Sequence, residues 1–354
     1  MKSLRVILLA CLLVVLVSSA SLTRIVRPVD KRKASTSAPI RFIYINGITD
    51  YYGATLVPTA LGVPGFTAGN VYNYVAHTFW TYPNTPLSAS GIWSDIATHM
   101  KGVFPYGNTT PDIQATLKKN FTNAGVKLLV SAFGATQTPT SSGFNATDCA
   151  LQLANFVNSN NYDGVDIDWE DTKSFTKGDS SGENWLITLT TVLRQNLKPG
   201  AIITHAPQAP YFGVGAYPKG AYLTVDQAVG SMIDFYNVQF YNQGKGMYET
   251  PQNLFNVSGG CCPGTSVNEI IAAGIPSDKV VLGKPAIKQD AHSGLMDPAT
   301  LNKAIRDNYV YNGWNAGLMY WQYIDDLDGS ICAKAGAGII TMLAEENQEN
   351  LARQ

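Results

Sequence analysis

The chain has no excess of charge of either sign and few charged residues. Its 354 residues include 25 Lys and Arg against 26 Asp and Glu, a net charge of −1, and charged side chains make up only 14% of the chain. This balance gives no electrostatic basis for binding nucleic acid or an anionic membrane surface. We therefore expect no nucleic acid and no membrane among its partners.

Long apolar runs are also scarce, and the longest lies at the N-terminus. Lys2 and Arg5 precede an apolar run over residues 6–17, and small residues follow at 18–20. This pattern is typical of a secretory signal peptide, which we assign to residues 1–20. The run is too short for a membrane span, and no later run is long enough. The sequence therefore predicts a secreted, extracellular protein without a membrane anchor.

A basic segment follows the predicted signal over residues 21–38 and includes Arg24, Arg27, Lys31, Arg32 and Lys33. It is either a disordered linker or a short pro-segment that is cleaved after Lys31-Arg32. We assign residues 39–345 to a single folded domain and residues 346–354 to a C-terminal tail.

Cysteines are few, and none has the Cys-x-x-Cys spacing of a zinc site. Cys11 lies in the predicted signal, which leaves Cys149, Cys261, Cys262 and Cys332 for an oxidising compartment. We interpret these four as disulfides between loops and leave their pairing open. A bond between the adjacent Cys261 and Cys262 is disfavoured because it would be strained.

Asn-x-Ser/Thr sequons are compatible with a glycosylated, exported protein, although the motif alone is a weak signal. The four sequons start at Asn108, Asn120, Asn145 and Asn256.

From about residue 39, short apolar runs alternate with longer amphipathic ones, a pattern typical of β/α units on a parallel sheet. The eight candidate strands cover residues 40–45, 71–79, 126–131, 162–169, 201–205, 232–240, 280–284 and 316–321. Helical spacing of apolar residues predicts a helix from Trp185 to Leu197 after the fourth strand. Eight strands in about three hundred residues favour a single (β/α)8 barrel, which belongs to the α/β class.

The fourth candidate strand contains a row of acids, Asp163-Gly-Val-Asp166-Ile-Asp168-Trp-Glu170. Successive side chains of a strand point to opposite faces, so Asp166, Asp168 and Glu170 share one face, and the interleaved apolar residues share the other. Three neighbouring carboxylates repel each other. Either a bound cation or a site that uses raised carboxyl pKa values must offset this repulsion.

A calcium site is the alternative to an acid/base site. Calcium loops are flexible and need a glycine at a sharp turn, whereas here Val, Ile and Trp interleave with the acids as in a buried strand. The histidines, which could also bind a metal, are scattered without ligand spacing at His77, His99, His205 and His292. We therefore expect an acid/base site with no metal and no cofactor.

Polar and aromatic residues collect at the carboxyl ends of the candidate strands, where barrels of this kind place their active sites. These residues are Tyr44, Phe79, Ser131, Gln208, Gln239, Tyr241 and Trp321. Aromatic rings stack on sugar faces, and amide and hydroxyl groups orient a ligand by hydrogen bonds. The composition of these strand ends therefore fits a carbohydrate-binding cleft.

The acid row resembles the fourth-strand signature of glycoside hydrolase family 18, the chitinase family, which reads Asp-x-x-Asp-x-Asp-x-Glu. The four matching residues are Asp163, Asp166, Asp168 and Glu170. The similarity extends to Gln239-Phe-Tyr241-Asn242 and to Gly317-Leu-Met-Tyr-Trp321. The Gln-x-Tyr-Asn pattern is similar to the plant and fungal branch of the family, whereas the bacterial-type branch typically has Met-x-Tyr-Asp.

The resemblance implies that residues 39–345 form the catalytic domain of a monomeric, endo-acting chitinase, which cleaves the β-1,4 links of chitin or chitooligosaccharides with retention. Glu170 would protonate the glycosidic oxygen, helped by neighbouring carboxylates that raise its pKa. The 2-acetamido carbonyl of the substrate would attack the anomeric carbon and give an oxazolinium ion. Asp168 would hold the acetamido N–H, Asp166 would share a proton or hydrogen bond with Asp168, and Asp163 would support the row.

Further roles follow from the same resemblance. Tyr241 would hydrogen-bond the acetamido oxygen, and Gln239 would position the sugar. Trp321 would form an apolar floor under the reacting ring, and Tyr44 and Phe79 would line the cleft. Asn242 and Gln208 are assigned to substrate binding, and Ser131 and Gly134 to support of the acid row.

One departure concerns the third strand, where the family commonly has Ser-x-Gly-Gly and this chain has Ser131-Ala-Phe133-Gly134. A bulky Phe133 in place of glycine leads us to expect an altered wall and subsite. Asn242 in place of Asp removes a polar partner that the bacterial-type branch uses.

Two other functions stay open at this point. The first is a carbohydrate-binding protein or inhibitor on the same barrel, because a fold does not fix a function. The second is an endo-β-N-acetylglucosaminidase acting on the chitobiose core of N-glycans. The complete acid row and Tyr241 favour catalysis, and the aromatic cleft favours chitin. No chitin-binding module is visible, so we expect soluble oligomers or amorphous chitin as the substrate.

Overall fold

In a computed structural model, the chain forms a closed barrel of eight parallel strands. The structure describes residues 39–46, 71–83, 115, 118, 119, 121–326 and 328–352. The strands are β1 (Ile40–Asn46), β2 (Tyr74–Trp80), β3 (Lys127–Phe133), β4 (Gly164–Asp168), β5 (Ile202–His205), β6 (Phe235–Gln239), β7 (Val280–Pro285) and β8 (Gly317–Trp321). Each strand pairs with the next in the chain, and β8 closes the barrel against β1. The predicted (β/α)8 barrel and its eight strands are confirmed.

Strands that are buried on both faces read as near-continuous apolar runs, which is why these strands could be recognised in the sequence. Val165 and Ile167 of β4 are fully buried on the face towards the helices, and Asp166 is fully buried on the other face. The main differences are at strand ends. For example, the sequence predicted a sixth strand over residues 232–240, whereas β6 covers Phe235–Gln239.

The described helices are α1 (Ala146–Ser159), α2 (Thr172–Thr176), α3 (Ser181–Asn196), α4 (Ala221–Val229), α5 (Val267–Ala272), α6 (Pro298–Asn312) and α7 (Ser330–Ala352). Side-chain caps explain several of their starts, because the first N–H groups of a helix have no partner within it. Asn145 accepts the Asp148 N–H at the start of α1, and Ser266 and Glu269 form a capping box on α5. The predicted helix over residues 185–197 is confirmed as α3.

The boundary that we assigned between the domain and its C-terminal tail lies within a helix. Helix α7 continues to Ala352, so residues 346–352, which we assigned to a tail, form its last two turns. The predicted signal, the segment 21–38, His99 and the sequons at Asn108 and Asn120 lie outside the described residues. Asn145 and Asn256 are exposed. None of the helices that the structure describes is both long and apolar enough to span a membrane.

The cysteine expectations are wrong in two respects. Cys261 and Cys262 form a disulfide, in a tight turn in which the Cys262 N–H donates to the Gly259 carbonyl oxygen (3.1 Å). Cys149 on α1 and Cys332 on α7 are free thiols buried in the core. They lie on helices rather than in loops, and there they pack as small apolar residues.

Candidate active site

Strand β4 carries the acid row to the carboxyl end of the barrel. Asp166 and Asp168 lie within the strand, and Glu170 follows two residues after its last residue. Trp169 points the other way and packs on Phe175 of α2, with ring centroids 4.6 Å apart. The predicted alternation of acidic and apolar faces is therefore confirmed, and it brings three carboxyl groups to one end of the barrel.

Asp166 is fully buried and is surrounded by hydrogen-bond donors. Oδ2 accepts from the Tyr44 hydroxyl (3.0 Å) and Ser131 Oγ (2.7 Å), and Oδ1 accepts from Thr204 Oγ1 (2.6 Å) and Asn237 Nδ2 (3.1 Å). Burial raises the pKa of Asp166, and these four hydrogen bonds oppose the rise. Since the donors direct hydrogens at both oxygens, the surroundings suit an anion and leave Asp166 no free oxygen for a cation.

Asp168 and Glu170 form a carboxyl pair. Burial raises the pKa of Asp168 well above its usual value, and the charge of Glu170, the charge of Asp166 and a hydrogen bond to Glu170 add to this effect. Neighbouring carboxyl groups disfavour the ionisation of each other, so the proximity of Glu170 favours a proton on Asp168. Gln239 donates to Asp168 Oδ1 (3.0 Å), and Gln208 donates to Glu170 Oε2 (2.7 Å). The two amides therefore orient the carboxyl pair from β6 and from the segment after β5.

Tyr241, two residues after β6, lies beside this pair. Its side chain is buried, and burial together with the nearby Asp168, Glu170, Asp166 and Asp290 carboxyls raises its pKa well above the usual value. A phenol held neutral in this way can donate a hydrogen bond to a ligand oxygen.

Aromatic residues lie next to the acids at the same end of the barrel. The Trp321 and Phe79 rings stack with centroids 5.9 Å apart, and Tyr44 packs at a tilt on Trp321 at 5.6 Å. The Thr78–Phe79 and Trp321–Gln322 peptide bonds are cis. Trp321 and Phe79 are partly exposed, whereas Tyr44 is 2% exposed and donates to Asp166. Trp321 and Phe79 can therefore contact a ligand, while Tyr44 lies beneath the surface and acts on the acid row.

Asp163 does not lie with the other acids. It precedes β4 at the amino end of the barrel, about 10 Å from Asp166 by the rise of a strand. Its carboxylate pairs with Lys118 and accepts the Leu128 N–H (2.8 Å). The support that we assigned to Asp163 is therefore not a direct contact with the other acids, because three residues of extended chain separate Asp163 from Asp166.

Phe133 does not form a wall of the site. Its side chain has no exposed surface and packs edge-on against Trp80 (6.0 Å) and Trp185 (5.6 Å), away from the acids. A positive φ of 80° at Phe133 turns the ring outwards, and Gly134 follows with a φ of 69°. A Cβ at Gly134 would lie 2.8 Å from the Phe79 ring, so glycine is needed there for this close approach.

The side chain of Asn242, which was predicted to bind substrate, already accepts a hydrogen bond from a loop. It is exposed, and its Oδ1 accepts the His292 N–H (2.8 Å) from the loop after β7. Its side-chain carbonyl oxygen joins the loop after β6 to the loop after β7.

The sequence analysis missed two donors of the site, Thr204 on β5 and Asn237 on β6. Both are polar residues inside apolar strands, and Asn237 is two residues before Gln239 on the same face, which was a usable signal. In the part of the chain that the structure describes, no group of three or more His, Cys, Asp or Glu side chains is arranged to hold a metal ion.

The arrangement provides a pair of neighbouring carboxyl groups in which burial favours the protonated form of Asp168, a buried carboxyl behind it, a neutral phenol and a partly exposed indole. A group of this kind can protonate a leaving oxygen and stabilise a positive charge that develops next to it. The aromatic surface favours a sugar ring as the bound group.

Curated proteins with similar sequences are chitinases. The chain is 27% identical over 252 residues to Chitinase Chi52 of Paenibacillus xylanexedens, a match that covers 61% of this chain and 45% of that protein. It is 25% identical over 253 residues to Chitinase D of Niallia circulans, again covering 61% of this chain and 45% of the relative. The chain thus spans about half the length of these relatives.

Solved structures share the fold along most of the chain. A GH18 chitinase from Pseudoalteromonas aurantia superposes with a TM-score of 0.61 at 28% identity, covering 85% of this chain and all of that one. An inhibitor of xylanase and alpha-amylase from Scadoxus multiflorus, at 19% identity and a TM-score of 0.51, shares the fold alone. Residues 69–331 match the family described as Glycosyl hydrolases family 18. Together with the acid row on β4, this match shows that the chain belongs to glycosyl hydrolase family 18.

Proposed function

We propose that the protein is a secreted chitinase. It hydrolyses β-1,4 links between N-acetylglucosamine units of chitin or chitooligosaccharides by a retaining mechanism in which the substrate's acetamido group is the nucleophile. The observation that carries the proposal is the carboxyl pair of Asp168 and Glu170, each oriented by an amide, with Tyr241 beside it.

Glu170 is the general acid. It is the outermost carboxyl of the row, it is partly exposed, and Gln208 holds one of its oxygens. When a sugar binds, the proton of the pair stays on Glu170 and passes to the glycosidic oxygen. Asp168 then turns to the acetamido N–H, and its negative charge balances the developing oxazolinium ion.

Tyr241 and Trp321 act on the reacting sugar. The neutral phenol of Tyr241 donates to the acetamido oxygen and aligns it for attack on the anomeric carbon. The partly exposed indole of Trp321 forms the floor under the ring. Attack by the acetamido oxygen and then by water inverts the anomeric centre twice, so the product keeps the β configuration.

The test is incubation with N-acetylglucosamine tetramer, with products and their anomeric form followed by NMR. We expect β-anomer first, and a loss of about 10²–10⁴-fold in kcat for Glu170→Gln, because the variant cannot donate the proton. Glu269→Gln is the matched control, since Glu269 belongs to the capping box of α5 and accepts the Ser258 N–H. We expect its kcat to stay within about twofold of the wild type.

Other outcomes identify the competing functions. Binding of the tetramer without cleavage would place the protein among carbohydrate-binding members on the same barrel. Release of N-glycans from a glycoprotein, with no action on the tetramer, would identify an endo-β-N-acetylglucosaminidase. Initial rates on amorphous and crystalline chitin would then test the expected preference for accessible chains.

A further inference from the structure

A lysine on β7 is buried beneath the loop that carries Tyr241. Lys284 is 1% exposed, and its ammonium donates to the carbonyl oxygens of Phe240 (3.1 Å), Tyr248 (2.7 Å) and Gly294 (2.9 Å). An ammonium has three N–H donors, and all three are used. We call Lys284 and these three carbonyl groups the lysine clamp.

The lysine clamp holds the backbone on two sides of Tyr241. The Phe240 carbonyl belongs to the peptide that precedes Tyr241. Gly294 lies against Tyr241 itself, since a Cβ at Gly294, where φ is 93°, would lie 2.5 Å from the Tyr241 Cα. A displacement of either carbonyl would therefore move the Tyr241 backbone.

Other hydrogen bonds join the same two loops. The Asn242 N–H donates to the Ser293 carbonyl oxygen (3.1 Å), and the Gly244 N–H donates to Ser293 Oγ (3.0 Å). Glu249 Oε1 accepts the Gly294 N–H (3.1 Å), so Gly294 is held by Lys284 on one side and by Glu249 on the other. The loops after β6 and β7 thus form one unit around Tyr241.

We infer that Lys284 is a positioning residue for catalysis, which fixes the Tyr241 phenol against Asp168 and Glu170 through the lysine clamp. This inference rests on the proposed chitinase function, and it adds a residue three strands away from the acid row. Lys284 touches neither the substrate nor the acids, so it acts on the rate through Tyr241 alone.

The clamp depends on pH because Lys284 must be charged to make all three hydrogen bonds. A neutral amine has two N–H donors and a lone pair, so one carbonyl group loses its donor. Burial lowers the pKa of Lys284 to about 7, and the charge of Glu249 opposes this shift. Glu249 faces Lys284 from the loop after β6, and Asp290 of the loop after β7 faces Tyr241. The phenols of Tyr241 and Tyr248 stay neutral, since burial raises the pKa of both.

Activity and stability should change in opposite directions as pH rises. A lysine whose pKa is lowered by folding binds its proton less tightly than in the unfolded chain, so its contribution to stability improves as pH rises from about 7 to about 10.5. Activity should instead fall as pH rises through about 7, because the clamp loses a hydrogen bond.

The first test compares Lys284→Met with Lys279→Met. Lys279 is a matched control, because it also donates to two carbonyl groups, those of Gly230 (2.7 Å) and Ile233 (2.6 Å), but at the amino end of the barrel. At pH 5.5 we expect Lys284→Met to lower kcat on the tetramer by about 10–100-fold with KM within about threefold. Lys279→Met should stay within about twofold.

The ratio of wild-type to variant kcat separates positioning from a general loss of stability. For Lys284→Met it should shrink as pH rises through about 7, because the wild type then loses part of its own clamp. For Lys279→Met the ratio should not change with pH. An unchanged kcat in Lys284→Met at pH 5.5, or a ratio independent of pH, would overturn the inference.

A second variant tests the inference in case Lys284→Met does not fold. Glu249→Gln keeps an acceptor for the Gly294 N–H and removes the charge that faces Lys284. The alkaline limb of its kcat profile should move to lower pH by about half a unit. An alkaline limb at the same pH as in the wild type would contradict the inference.

If the wild type does not cleave the tetramer, the proposed function fails, and the clamp is judged by hydrogen exchange. We expect faster exchange in peptides covering 240–248 and 292–296 in Lys284→Met and not in Lys279→Met. Unchanged exchange in these peptides would overturn the clamp independently of activity.

Discussion

At the scale of single residues, the site depends on how the protein solvates buried carboxyl groups. Asp166 has four donors and Asp168 has Gln239 and the Glu170 carboxyl, so burial and like charge raise the pKa of Asp168 further. A hydrogen bond to a charged group contributes about 1.5–3 kcal/mol. The four donors of Asp166 therefore oppose the rise of its pKa, while Asp168, with Gln239 as its amide donor and two carboxyl neighbours, has its pKa raised further.

Thr204→Val tests this solvation, because it removes the 2.6 Å hydrogen bond to Asp166 with little change in shape. A carboxyl group whose pKa is raised by folding stabilises the protein most at low pH, and this contribution is lost as pH rises through its folded pKa. The variant raises that pKa further. The loss in free energy of unfolding should therefore reach about 1.5–3 kcal/mol at pH 7 and be smaller at pH 4, measured by urea unfolding.

Thr190→Val is the control for this prediction. Thr190 is also fully buried, but it donates to the Leu186 carbonyl oxygen (2.7 Å) and lies beside His205. Burial lowers the pKa of His205 to about 3, so this ring is neutral from pH 4 to 7. The loss in Thr190→Val should be the same at both pH values, and an equally flat loss in Thr204→Val would show that the Thr204 hydrogen bond does not favour the charged form of Asp166.

At the scale of elements, the end of β3 sets the contact between β3 and helix α3. Phe133 has a positive φ, its ring packs on Trp185 of α3, and the next N–H, that of Gly134, donates to the Asp168 carbonyl oxygen (2.9 Å). The same turn therefore docks a helix outside the barrel and joins β3 to the acid strand inside it. The strain of positive φ in a phenylalanine is offset by the burial of its ring.

Substitution of Phe133 separates the ring from the backbone. Phe133→Ala should lower the free energy of unfolding by about 3–5 kcal/mol, because a fully buried ring is lost. Phe133→Gly should be about 1 kcal/mol more stable than the alanine variant, since glycine adopts a positive φ without strain. Urea unfolding of both variants measures the difference.

Phe156 provides the opposite case for the same two substitutions. It lies in helix α1 and stacks on Tyr162 at 6.0 Å. Glycine is worse than alanine in a helix by about 1 kcal/mol, so the order should reverse at this position. The same order at both sites would show that the positive φ at Phe133 does not affect stability.

At the scale of the whole molecule, the two ends of the barrel have different tasks. The carboxyl end holds the acid row, whereas the amino end holds the pair of Asp163 and Lys118 and the bond from Asp163 to the Leu128 N–H. This division agrees with the general separation of activity and stability in barrels of this type. Two acids of one eight-residue motif thus belong to different parts of the molecule.

Asp163→Asn and Asp168→Asn should therefore have contrasting effects. Asp163→Asn weakens the pair with Lys118 and should lower the free energy of unfolding by about 1–3 kcal/mol, with kcat within about twofold of the wild type. Asp168→Asn should lower kcat by about 10²-fold or more, with a smaller loss of stability. Unfolding and tetramer kinetics on both variants provide the measurement. An equal loss of kcat in Asp163→Asn would restore the supporting role that the sequence suggested.

Local patterns accounted for the prediction of the fold and of the acid row. Val165, Ile167 and Trp169 alternate with the acids, and strand geometry alone places the two sets on opposite faces. Phe133 was misjudged, because its residue type shows its size and not the backbone φ that turns it outwards. Tyr44 was expected in the cleft wall, but its hydroxyl donates to Asp166 from below, a contact between β1 and β4 across the barrel.

The sequence by itself determined the eight-stranded barrel and the end of it at which Asp166, Asp168 and Glu170 meet, because period and strand direction are properties of the local chain. Only the tertiary structure decided which groups solvate Asp166, that Asp163 lies at the other end, and that Lys284 holds the loop of Tyr241. Most of these contacts join residues that are 35 to 122 positions apart in the chain, and the contact of Lys284 with Gly294 spans 10 positions. They depend on how the barrel closes and how its loops pack, and no local pattern encodes such distances.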